Sequence, residues 1–98
     1  MAYELILKPL AELDIAEAAE WYLNRGKTLA GAFLNTVDAA METISKFPEL
    51  YQKRYWEVRV VFTLTFPYGI YYTLEKKRVV VHAVLHTRRD AKNAVTRL

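Results

Sequence analysis

The stretch Phe66–Asp90, FPYGIYYTLEKKRVVVHAVLHTRRD, constrains this chain more than any other. It holds two apolar runs joined by a basic turn and closed by His86, Arg88 and Arg89. Runs of this length, rich in Val, Ile, Tyr and Phe, suit buried strands better than helices. With Lys76-Lys77 as the turn, residues 68–75 and 79–86 pair as a hairpin. The polar tail holds most of the groups that could do chemistry or bind an anion.

The residues before this hairpin read as its scaffold. Tyr3 to Leu7 is a short strand, stopped by Lys8-Pro9, with Pro9 suited to a first helical turn. Ala11, Ile15, Ala18, Ala19 and Tyr22 then form one helical stripe, and Gly26 supplies a left-handed stop. A second helix, with Thr28 as its N-cap, buries Phe33, Val37, Ile44 and their neighbours and ends at Phe47-Pro48. The connection between the helices is short, so they form an antiparallel hairpin. Residues 49–56 read as an irregular link. Beyond it Val58, Val60, Phe62 and Leu64 alternate with Arg59, Val61, Thr63 and Thr65, a strand with one strongly apolar face. Pro67 marks the edge or start of the next strand. The predicted architecture is α+β: an antiparallel helix hairpin packed on an antiparallel sheet of three strands, with the first strand added at an edge.

A length of 98 residues allows a single domain spanning 1–98, and a hydrophobic fraction of 53% argues for a folded core. There is no cysteine, so disulfides and thiolate metal sites are excluded. Two histidines, His82 and His86, are too few for a zinc site, and no Gly-rich phosphate loop is present. No cofactor or metal is therefore expected. No run approaches a membrane span, so a cytoplasmic protein is the expectation. Charge is divided unevenly. Residues 1–50 carry four basic and eight acidic groups, and residues 51–98 carry ten basic and three acidic. A basic half of this kind suits an anionic partner, nucleic acid or acidic peptide, while a merely solvated surface is the plainer alternative.

The candidate site is cationic. Arg59, His86, Arg88, Arg89 and one of Tyr71 or Tyr72 are expected to converge on the uncovered side of the sheet. Arginine matches phosphate or carboxylate in bidentate geometry, and His86 or a tyrosine is the candidate proton-transfer group. Set against this, Tyr71 and Tyr72 point to opposite faces, so at least one belongs to the core. His82, inside an apolar run, reads as a hydrogen-bonded sheet residue. Glu12, Glu17 and Glu20 read as a solvated helix face.

Several segments together resemble the RelE/ParE toxins of type II toxin–antitoxin systems, often called plasmid stabilisation proteins. They are AELDIAEAAEWYLNRG, KFPEL, VRVV, FPYGIYY and VLHTRRD, and they span nearly the whole chain. The resemblance implies growth inhibition, a cognate antitoxin bound over the basic half, and a toxin–antitoxin hetero-oligomer. RelE-like members are ribosome-dependent mRNA endoribonucleases with arginine and lysine on the sheet and a tyrosine near the C-terminus. Here Gly69 stands where they place a catalytic arginine and Ala94 where they place the tyrosine, although Arg88 matches. ParE-like members are inhibitors of DNA gyrase rather than enzymes, and the departures favour that branch. The alternatives are an endoribonuclease using His86, Arg88 and Arg59, and a non-toxic binding member of the family.

Overall fold

Pro9 holds Lys8 extended (φ −68°, ψ 151°), so strand β1 (Glu4–Leu7) passes directly into helix α1 (Pro9–Leu23). The computed structural model describes residues 3–89 and 91–98. At the end of α1, Asn24 donates its N–H to the Glu20 carbonyl. Gly26 then adopts φ 157° and ψ 139°, a conformation open essentially to glycine but not the left-handed cap expected there. Helix α2 (Lys27–Lys46) starts immediately, which puts Thr28 inside the first turn rather than at the cap. The two helices form the predicted hairpin.

Strands β2 (Lys53–Tyr55), β3 (Val58–Phe62), β4 (Tyr68–Glu75) and β5 (Arg78–His86) join β1 in a five-stranded sheet ordered β1-β5-β4-β3-β2. A one-turn helix, α3 (Lys92–Val95), follows. The fold is α+β and contains the antiparallel meander β3-β4-β5. It departs from the sequence expectation in two respects. The link after α2 contains β2, and β1 sits at its edge parallel to β5, so the sheet is mixed. β2 is short, basic and exposed, a combination that blunts an edge against further pairing.

Both faces of the sheet are packed. Val61, Ile70, Tyr72, Val79, Val81 and Val84 meet Phe33, Val37 and Ile44 of α2 and Ala11 and Ala18 of α1. The opposite, outer face gathers Val58, Val60, Tyr71, Ala83, Leu85 and Ala94 of α3. Tyr71 and Tyr72 are thus both core residues, in separate cores. The apolar face expected of β3 is the outer one. It ends early, because the strand stops at Phe62 and Leu64 is 96% exposed in the following loop.

A register shift explains how β5 serves both faces. Tyr72 pairs with Val81 but Tyr71 with Ala83, so His82 is the extra residue of a β-bulge. Before the bulge Val79 and Val81 face the helices, and after it Val84 does. The β4–β5 turn places Lys76 at φ 58°, the left-handed geometry that a two-residue hairpin turn demands.

Candidate functional site

β1 covers β5 only from Arg78 to Val81. Past that point α1 lies beside the end of β5, and the two line a groove of about 480 Å³. Its floor is Ala18, Tyr22, Tyr68 and Val84. Asp14, Glu17 and Trp21 form the α1 wall, and His86 and Arg89 the opposite one. Residues 14, 17, 18, 21 and 22 share one face because they lie three or four apart on a helix. Acid thus faces base across an aromatic floor.

The His86 ring stands edge-on to Tyr68, with centroids 5.4 Å apart. Its Nδ1 accepts the Arg88 backbone N–H at 3.1 Å, which leaves the proton of the neutral ring on Nε2. Burial pushes the Tyr68 hydroxyl up to about 12, with Tyr22 adding to the shift and Arg89 opposing it. Tyr68 therefore stays protonated at neutral pH. Trp21 is half exposed, and the Arg25 guanidinium lies 3.4 Å above its ring while donating to the Trp21 carbonyl.

The expected convergence of cations is only partly met. His86 and Arg89 line the groove; Arg88 is exposed beside it. Arg59 pairs in register with Tyr72, on the helix side, and donates to the Tyr51 carbonyl at 2.7 Å. There it holds the link after α2, assisted by Tyr72, whose hydroxyl donates to the Pro48 carbonyl at 2.7 Å. Burial also raises the Tyr72 hydroxyl to about 12. Tyr71 is 5% exposed on the outer face, so neither it nor Arg59 joins the histidine. The sequence reading missed Trp21, Tyr22 and Tyr68, and it assigned Glu17 to a solvated surface. For Glu17, Trp21 and Tyr22 the spacing along α1 was the available signal.

The two positions that depart from the RelE-like pattern belong to the outer-face packing. A Cβ added at Gly69 would lie 3.2 Å from ring carbons of Phe62 and Tyr71 and 3.3 Å from Val60. Ala94 is 1% exposed among Val58, Leu85 and their neighbours. Among the described residues no group of three or more His, Asp or Glu could hold a metal ion, and no helix is long and apolar enough to cross a membrane.

The chain matches the family described as the ParE toxin of the type II toxin–antitoxin system parDE, over residues 5–91. It belongs to the ParE toxin family. No curated protein matches it. ParE membership makes the chain a toxin-type component and implies an antitoxin partner. The matched range contains the groove, the buried residues of the helix-side core and the segments that carried the resemblance; it stops at Ala91, before α3 and its Ala94.

The second histidine of this ParE chain is structural. His82 is 6% exposed, with Nε2 2.8 Å from the Thr73 hydroxyl. Thr73 donates its proton to Glu75, so its oxygen accepts from His82 Nε2–H. Nδ1 is buried without a hydrogen-bond partner. Burial lowers the ring's pKa below the ordinary 6.5; Glu75 opposes the shift and Lys8 adds to it. Between the folded value and 6.5 the unfolded chain carries the extra proton, so stability rises with pH through that window and is lost as pH falls. In His82→Gln, the part of the stability slope below about pH 6.5 that His82 supplies is expected to vanish. Urea titrations across this range check it, and an unchanged slope in the variant would assign it to another group.

Proposed function

We propose that this ParE-family chain inhibits growth in the cytoplasm by blocking DNA gyrase, not by enzymatic cleavage, and that a cognate antitoxin neutralises it. The observation carrying this proposal is the filled outer face of the sheet. Gly69 and Ala94 stand where RelE-like members need an arginine and a tyrosine, and both are enclosed by apolar side chains. A nuclease acting through a 2′-hydroxyl needs a base, an acid and cationic stabilisers around one phosphate. Arg59, on the other face and tied to Tyr51, is remote from such a grouping.

The groove along α1 is the surface we assign to the target or to the antitoxin. Its aromatic floor offers apolar area, and Arg88 and Arg89 offer exposed charge for an acidic segment. Purified protein is expected to inhibit gyrase-catalysed supercoiling in proportion to its concentration. An Arg88→Glu, Arg89→Glu variant is expected to need at least about 10-fold more protein for the same inhibition. Supercoiling that stays unaffected at saturating protein would sink the gyrase assignment.

The alternative is ribosome-dependent mRNA cleavage, and the observation favouring it is His86 in a groove beside Arg89, with Arg88 next to it. Primer extension on translated mRNA would then show codon-positioned cuts that vanish in an Arg88→Ala, His86→Ala variant. Growth unimpeded by strong induction without antitoxin would instead point to a non-toxic binding member.

A further inference from the structure

β1 and β5 separate halfway along β5. Their pairing runs from Glu4 opposite Arg78 to Leu7 opposite Val81, and Lys8 adds an N–H bond to the Val81 carbonyl at 3.0 Å. The next donor in this alternation would be Leu10, but the chain has already turned into α1 at Pro9. β5 continues to His86, so the edge beyond the bulge has no strand beside it among the described residues.

Two side chains take the strand's place. Asp14 Oδ2 accepts the Val84 N–H at 2.9 Å, and Arg97 Nη1 donates to the His82 carbonyl at 3.1 Å. In a parallel ladder one residue does both jobs, donating to one carbonyl and accepting the N–H two residues further on. Asp14 and Arg97 divide that work and are tied to each other by bonds of 2.6 and 3.1 Å. Their side chains are 9% and 17% exposed.

The same pair separates two hollows. On one side lies the groove already described; on the other is a hollow of about 240 Å³ lined by Lys8, Leu10, His82 and Arg97. The segment that carries Arg97 is short. α3 is a single turn, Ala94 is its buried residue, and Ala91 packs at the margin of the same cluster. A helix this short has no stability of its own.

We propose that residues 91–98 are a releasable strap. The Asp14–Arg97 pair is a surrogate rung that shuts the second half of the β5 edge, and its opening joins the two hollows into one trough along an unpaired strand. Asp14 lies within the residues matched by the family and Arg97 beyond them. An unguarded edge pairs with another strand, and in the isolated protein the available one is the same edge of a second copy.

Native-state hydrogen exchange tests the strap. In Asp14→Ala, the amides of Val84, Val95 and Thr96 are expected to exchange about 10- to 100-fold faster, while those of Ile70 and Tyr72 in β4 keep their wild-type rates. In Arg97→Gln, Val95 and Thr96 accelerate likewise. Sedimentation then shows Asp14→Ala associating at lower concentrations than wild type. Wild-type exchange at Val84 in the variant, or acceleration only together with Ile70 and Tyr72, overturns the strap. Fast exchange without added self-association overturns the edge as a pairing surface. Wild-type protein is a further check: Val84 and Val95 must open at a common free energy below that of β4.

Discussion

Phe33→Ala is expected to cost about 3–5 kcal/mol of stability. The side chain is 0% exposed and sits at the centre of an aromatic cluster that no single element supplies. Its ring stacks on Tyr22 of α1 at 5.1 Å and meets Phe66 of the β3–β4 loop edge-on at 5.7 Å and Tyr68 of β4 at 5.0 Å. Truncation removes the transfer energy of the ring and leaves a cavity between elements that cannot all move inward together. It also removes three aromatic contacts, each contributing about 0.5–1.5 kcal/mol. Against a total of about 5–15 kcal/mol for a domain, this change alone removes a large share of the stability. Urea titration should show a lower midpoint with an unchanged slope. Leu34→Ala, one residue on and 38% exposed, serves as the control and should cost no more than about 1 kcal/mol. A Phe33→Ala cost as small as that of Leu34→Ala would mean that the cluster does not hold the helix hairpin to the sheet. Because Tyr22 and Tyr68 also floor the groove, the variant should lose target binding along with stability.

The helix hairpin was legible because its apolar residues repeat at helical spacing, and the meander because its strands are β-branched and separated by turns. Sidedness was not. β3 has apolar residues on both faces, so alternation alone could not tell whether Val58 and Val60 or Val61 look toward the helices. The bulge at His82 was equally silent, since VVVHAVLH is apolar in either register and gives no sign of an inserted residue. Arg59 and His86 do share the helix side of the sheet; register keeps them apart, Arg59 standing opposite Tyr72 and His86 opposite Tyr68, which the sequence did not show. β2 hid in a polar, aromatic-rich link because a three-residue edge strand needs no apolar face. The groove was missed for a different reason. It forms between α1 and the end of β5, and the Asp14–Arg97 pair at its end joins residues 83 apart in sequence, with no local motif to announce it.

The paired substitutions Gly69→Arg and Ala94→Tyr are expected to destabilise the fold and to confer no mRNA cleavage. They restore by residue type what the RelE-like pattern has at these positions. Space is the obstacle. At Gly69 even a methyl group meets two ring carbons at 3.2 Å and a Val60 methyl at 3.3 Å, so the neighbours must give way before the rest of an arginine is placed. Overpacking of this kind costs about 1–3 kcal/mol per site. At Ala94, 1% exposed, a tyrosine ring has to lift α3 from Leu85 and Val58, which loosens the segment carrying Arg97 as well. Gly69→Ala isolates the first step and should lower stability by about 1–2 kcal/mol, less than Gly69→Arg. Chemical denaturation of the two single variants and the double, with primer extension on translated mRNA alongside, separates packing from chemistry. Codon-positioned cuts by a stably folded double variant would show that the sheet face can host the nuclease arrangement, and the filled outer face would then no longer favour the gyrase assignment. Loss of stability without cuts is the expected result: Gly69 and Ala94 are what allow the outer core of this ParE chain to close.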